Sequence, residues 1–234
     1  MVWGAVTLSS VVADICGDWG RHVHQEFLVE MNLQWKLKRQ PQPLRRIITT
    51  HDPISGQATF SDAVGEQVSF TAFPVPPGKP TSDYALAYNT STFPVQGLSP
   101  PTSATPESKS NLDIKQYHSQ LSDPSPLNPP NGTACTMVEV PPGSEVPMHR
   151  TTTLDYGVIV NGTTQLVLDS GEKKSMAKGD AFVLRGTAHA WRNTTDKNDN
   201  SGVLRIFFVF QPIEQVRVEG GKLEQDLKLS LHED

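Results

Sequence analysis

The residues with the clearest capacity for chemistry lie in "PMHRTTTLDYG", Pro147 to Gly157. One histidine and one aspartate stand there among three threonines. An imidazole changes charge near physiological pH and is a common metal ligand, so His149 could move a proton or hold a cation. Asp155 offers a carboxylate for either task. The plain alternative is a polar strand carrying a surface histidine. In extended chain, residues two apart share a face. His149, Thr151, Thr153 and Asp155 therefore point one way if the strand is regular, and Leu154 and Tyr156 the other. A second polar island, "RGTAHAWRN", puts His189 and Trp191 on one face just after a turn.

Strands must position both islands. After Gly132 the runs "ACTMVEV", "YGVIV", "TQLVLD", "AFVL" and "VLRIFFVF" are strand-length and rich in Val, Ile, Leu and Phe. Asn161-Gly162, Ser170-Gly171 and Gly179-Asp180 punctuate them. Asn-Gly between two such runs is a strong hairpin signal, because both turn residues tolerate positive φ. Short strands with turns every ~8–12 residues predict an antiparallel sandwich or small barrel. No helix of any length is expected from Thr133 to Pro212. Two strands of one small barrel can bring the islands together inside it.

The spacing Gly143-x5-His149-x-Thr151-x3-Asp155-x6-Gly162 resembles the first motif of the cupin superfamily, G-x5-H-x-H-x3,4-E-x6-G. Gly179-x4-Leu184-Arg185-Gly186-x2-His189-x3-Asn193 is similar to the second, G-x5-P-x-G-x2-H-x3-N, one residue shorter and with Leu184 in the proline place. About sixteen residues separate the two, as in a small single-domain cupin. The phrases "LRRIITTHDPISGQATF", "PMHRTTTLDYGVIVNG" and "GDAFVLRGTAHAWRN" look most like the cupin-domain-containing oxidoreductases of fungal polyketide clusters that make salicylaldehyde-type products.

The resemblance implies an all-β fold: a single-domain cupin, a small antiparallel β-barrel or jelly roll, with an N-terminal extension and a long Pro/Ser-rich loop. It places the family's metal ligands at His149, Thr151, Asp155 and His189. Thr151 stands where a ligand histidine belongs, and Asp155 is one methylene shorter than the usual glutamate. What remains is two imidazoles and a carboxylate. That set suits iron(II) with open positions for substrate and oxygen, or zinc with a bound water. The expected cofactor is therefore a divalent transition metal on His149, Asp155 and His189, iron(II) favoured and zinc or manganese as alternatives. Aspartate reaches it only if the strand after Thr153 bends inward; otherwise the site is a polar pocket.

The same three residues are the expected catalytic set, with Thr151 and Trp191 lining the substrate pocket, although Trp191 also fits an ordinary core position. Val158, Val160, Leu166, Leu168, Phe182 and Phe208, or their neighbours of opposite parity, are the expected apolar lining. The implied activity is oxidation or other processing of a small aromatic or polyene polyketide intermediate. A non-redox lyase, dehydratase, decarboxylase or isomerase would use the same pocket, and a metal-free binding cupin is the third reading. No G-x-S-x-G and no phosphate-binding glycine loop points elsewhere.

The rest of the 234 residues divides by composition. Residues 1–43 read as an N-terminal extension, partly helical or irregular, with helix-compatible spacing at Phe27, Leu28, Met31 and Trp35. Residues 44–93 read as short strands packing on the barrel, 94–131 as a Pro/Ser/Thr-rich loop, 132–212 as the cupin core, and 213–234 as a charged tail, a short helix or frayed end. Arg150 is expected to point outward. The net charge of −5, with 20 Lys and Arg mostly scattered, argues against nucleic acid as a partner. The N-terminus has no basic start and Asp14 interrupts its apolar run, so no membrane partner and a cytoplasmic location are expected. Cys16 and Cys135 lack metal or redox spacing and read as reduced, buried thiols, with a single disulfide between them as the alternative. The partner is a small-molecule substrate, and a homodimer is a further expectation of the resemblance.

Overall fold

A computed structural model describes residues 43–73, 81–122, 130–199 and 202–226. The extension expected over residues 1–43, Cys16 included, lies outside them apart from Pro43. Two antiparallel sheets dominate. The larger has six strands: β3 (Thr71–Ala72), β4 (Asp83–Asn89), β5 (Ala134–Val140), β7 (Thr153–Asn161), β10 (Ala181–Arg185) and β12 (Leu204–Pro212), in the order β10-β7-β12-β5-β4-β3. The smaller has four: β6 (Glu145–His149), β8 (Thr163–Leu168), β9 (Lys173–Ala177) and β11 (His189–Asn193), in the order β6-β11-β8-β9. The fold is the antiparallel two-sheet arrangement the strand pattern predicts and the all-β jelly roll the resemblance implies. Strand β4 comes from the segment before the Pro/Ser/Thr-rich stretch and pairs with β5, so that early segment contributes a strand to the main sheet itself.

The core lies between the sheets because each strand alternates apolar inward residues with outward ones. Tyr84, Val138, Ile159, Phe182, Leu184, Leu204, Ile206 and Phe208 of the larger sheet pack with Trp191 of the smaller, flanked by Val146, Leu166 and Met176. The expected lining is met at Leu166, Phe182 and Phe208. On β7 the parity is the opposite one: Ile159 points in, whereas Val160 packs outside with Leu44, Phe70 and Phe207. The Asn161-Gly162 turn joins β7 to β8 as predicted. Gly162 sits at φ +84°, and a Cβ there would lie 2.3 Å from Thr195 Oγ1, so no larger residue fits that turn.

Leu44, Val68 and Phe70 cover part of the outer face of the larger sheet, packing with Met137, Val160 and Phe207, whereas the hairpin of β1 (Thr49–His51) and β2 (Ala58–Phe60) is largely exposed. The segment 94–131 is not wholly loop. It contains an eleven-residue helix, α1 (Leu112–Ser122), which buries Ile114 and Tyr117 against Val64, Leu86 and Ala134. Tyr117 donates to Leu86 O at 2.9 Å, and Tyr88 donates to Asp113 Oδ2 at 2.6 Å. Only one side of this helix is apolar, and the surrounding Pro and Ser residues mask so short a period.

Residues 213–226 form an extended strap rather than a helix; the rest of the tail expected over 213–234 lies outside the described residues. A small hairpin of β13 (Arg217–Val218) and β14 (Gly221–Lys222) leads to Asp226, which exchanges two backbone hydrogen bonds with Arg150 at 2.7 and 3.0 Å. Among the described residues no helix is long and apolar enough to cross a membrane.

Candidate functional site

The two histidines come together through strand pairing. His149 ends β6 and His189 begins β11, and the two are direct partners across the antiparallel ladder. Their ring centroids lie 4.4 Å apart with planes inclined at 56°. Each ring is fixed by its own backbone. His149 Nδ1 lies 2.8 Å from Pro147 O, and His189 Nδ1 lies 2.9 Å from Thr187 O. A carbonyl oxygen only accepts, so Nδ1 of each neutral ring carries the hydrogen and Nε2 is left with its lone pair. The pair thus presents two basic nitrogens side by side.

Burial sets their charge. His189 is 2 % exposed, and burial, followed by the neighbouring His149, pushes its pKa down to about 4 despite the contact with Thr187 O. Burial also lowers His149, partly offset by Pro147 O and by the Asp226 charge. Both imidazoles are therefore neutral at pH 7.

Asp155 reaches the same interior from the other sheet. The chain after His149 does not continue as one strand: it turns a corner through Arg150, Thr151 and Thr152 and enters β7 at Thr153. The facing of alternate residues nevertheless survives the corner. Thr153 Oγ1 donates to Thr151 Oγ1 at 2.8 Å, and Thr151 Oγ1 donates to Asp155 Oδ2 at 3.4 Å. Thr153 and Asp155 are each 1 % exposed. Oδ1 of Asp155 is buried and accepts no hydrogen bond from the described residues, and burial holds the carboxyl up at about 6 although both threonines favour its charged form.

Thr151, standing where a ligand histidine belongs, is thus a hydrogen-bonding wall that orients Asp155. Trp191 lies 6.0 Å from His189 edge-on and packs 4.8 Å from Phe182 and 6.0 Å from Phe208, centroid to centroid, with its indole N–H buried and unpartnered among the described residues. It is a core residue that also borders the histidines. Thr136 on β5, wholly buried with its hydroxyl similarly unpartnered, shares this interior beside Phe208.

The donor set can be tested for a metal. The two Nε2 atoms suit a divalent cation. Among the described residues, however, no three of His, Cys, Asp and Glu gather closely enough to hold one. Asp155 stands on the opposite sheet and is engaged by Thr151, so the two-imidazole, one-carboxylate set is not assembled as it stands.

Other residues fall away from the site. His51 and His118 are exposed, His118 on α1. Arg150 is half-buried rather than solvated, 3.3 Å from Asp169, because the strap pairs with its backbone. Asn193, the last residue of the second motif, is structural: its side-chain amide donates to the carbonyls of Val140, Pro141 and Gly202, and its oxygen accepts from Thr195 N at 2.9 Å. Cys135 is a half-buried thiol without a disulfide. Sequence reasoning missed Thr136 and Asp226; neither sits in a motif, and only the strand register sets Thr136 beside Phe208 and only the strap brings Asp226 to His149.

With this geometry in place, comparison with known proteins decides the family. Residues 136–201 match the cupin domain, covering both histidine motifs. The chain is 35 % identical over 175 residues to phomopsin biosynthesis cluster protein C' of Diaporthe leptostromiformis, spanning 75 % of this chain and 82 % of that protein. The chain is a cupin. This cupin is also 31 % identical over 184 residues to oryzines biosynthesis cluster protein J of Aspergillus oryzae, spanning 79 % of this chain and 91 % of that one. The cupin-domain-containing oxidoreductase srdD of Neurospora crassa is 38 % identical over 125 residues, 53 % of this cupin and 61 % of its own length.

Proposed function

We propose that this cupin is an enzyme of fungal secondary metabolism that takes a small aromatic or polyene polyketide intermediate between its sheets and processes it at the His149–His189 pair. The observation that carries this reading is the pair itself: two buried imidazoles in contact, each with Nδ1 tied to its own backbone and Nε2 free to act. The biosynthesis-cluster names of the relatives support the metabolic setting.

The residues divide the work as follows. His189, neutral and desolvated, is the proton acceptor, taking a proton on Nε2 from an acidic C–H or O–H of the substrate. His149, less buried, shares and passes on that proton toward the mouth. Asp155, held up at about 6 by burial, keeps a fraction of its carboxyl protonated near neutrality and delivers that proton to the developing product. Phe182, Phe208 and Trp191 exclude water and offer aromatic faces to a planar ligand. A divalent metal, iron(II) first and zinc or manganese next, would sit on Nε2 of His149 and His189 and supply Lewis acidity or electron transfer, but the described residues gather no third donor beside the imidazoles.

The oxidoreductase names of three further relatives, in Neurospora, Aspergillus and Hypocrea, favour a second reading in which the same pair serves a net oxidation. Two measurements separate the readings. Purified protein, prepared without chelator, is assayed for bound transition metal and for oxygen uptake with the intermediate that accumulates when the gene is disrupted. Turnover without oxygen uptake, unchanged by chelator, supports proton transfer alone. Stoichiometric oxygen uptake, lost with the metal, supports oxidation. No turnover of any accumulated compound contradicts both.

A further inference from the structure

We propose that the C-terminal strap, residues 213–226, seals the mouth of the His149–His189 site and must lift for a ligand to enter. The strap makes its contacts at the two turns that carry the histidines. On the His149 side, Arg150 and Asp226 exchange both backbone hydrogen bonds, Ile213 N donates to Thr152 O at 3.3 Å, and Thr152 Oγ1 lies 3.3 Å from Gln225 Oε1. On the His189 side it crosses Gly186. A Cβ at Gly186 would lie 2.9 Å from Ile213 Cδ1 and 3.5 Å from Val216, so the absence of a side chain there, at φ +63°, lets the strap approach closely.

The strap is built with an inside and an outside. Ile213, Val216 and Leu223 are half-buried, whereas Glu214, Arg217, Glu219, Lys222 and Glu224 are exposed. Leu223 N donates to Val216 O at 3.0 Å, which folds the strap on itself and keeps those apolar residues inward. Its end brings the Asp226 charge close enough to act on the His149 imidazole. Its described residues join no strand of either main sheet, β13 and β14 pairing only with each other, and three half-buried apolar side chains with the Arg150 and Thr152 backbone bonds tie it down. A segment so attached belongs to the low end of local stability and opens without unfolding the sheets beneath it. This inference concerns access alone and stands whatever reaction the site performs.

The test uses diethyl pyrocarbonate, which acylates neutral imidazole, with the modified histidines located by mass spectrometry in chelator-treated protein. Exposed His51 and His118 serve as internal controls. In a chain ended after Pro212, His149 and His189 are expected to react at least about tenfold faster than in the full chain, with the controls unchanged. Full-chain protein carrying R150C and D226C provides the converse. The two positions exchange both backbone bonds, which sets their Cα atoms about 5.5 Å apart, within disulfide reach. The oxidised form should protect His149 and His189 further, and reduction should restore the rate. Should the shortened chain fail to fold, this comparison of one protein in two redox states carries the test. Equal histidine rates in the oxidised and reduced forms, or in full and shortened chains that both fold, overturn the proposal.

Discussion

At the scale of single residues, the site is defined by opposite effects of burial on acid and base. Asp155 has a folded pKa raised from the ordinary 3.8 to about 6, so the folded state binds more protons than the unfolded between those values, and stability falls as pH rises through that window. His189 is depressed to about 4, so stability is present above 6.5 and is lost as pH falls toward 4. The two slopes oppose each other between pH 4 and 6, and single substitutions should expose them. Asp155→Asn should be the more stable protein at pH 7, by on the order of 2–3 kcal/mol relative to its standing at pH 4. His189→Gln should gain relative to wild type as pH falls from 6.5 to 4. Urea midpoints across pH 4–8 check both; parallel curves for all three proteins would contradict the burial account. His149, Asp155 and His189 were legible in the sequence because motif spacing marks them. Their electrostatics were not, because desolvation depends on what the other sheet places over them.

At the scale of elements, the strand pattern predicts the fold and the hairpin turns, and it fails where partners are distant in sequence. The corner at Arg150–Thr152 is an example. Alternation alone reads His149 to Asp155 as one strand, whereas the backbone of the corner bonds to Ile213 and Asp226, some sixty to eighty residues on. Helix α1 was hidden for a similar reason, since Tyr117 finds its burial against β4 and Arg46, far away in the chain. Another long-range pair lies on the larger sheet. Glu139 on β5 is fully buried and bonds Arg205, its direct partner on β12. Removing one member of a buried pair costs far more than removing both. Glu139→Gln should therefore lower stability by about 3 kcal/mol, and the double variant Glu139→Leu with Arg205→Met should recover most of that loss, as read by chemical denaturation. A single variant as stable as wild type would show that the pair contributes little.

At the scale of the whole molecule, the sheets, the corner and the strap converge on one interior. The larger sheet supplies Asp155, Phe182, Phe208 and Thr136; the smaller supplies both histidines and Trp191; residues 213–226 return to bond Arg150 and Thr152 beside His149. Cupin membership was legible from two motifs, yet the motifs alone do not tell that Thr151 turns its hydroxyl to Asp155 instead of leaving a gap. This coupling of threonine and carboxylate distinguishes the chain from the full ligand motif, and under the proposed function the imidazole pair carries the chemistry. The most direct test of that claim is single-turnover conversion, by purified wild type and His189→Gln, of the intermediate that accumulates on gene disruption. The account predicts that wild type consumes the compound and that the variant, folded and still able to bind it, is slower by at least about a hundredfold, the scale of general acid–base catalysis. A variant that turns the compound over at the wild-type rate would contradict it.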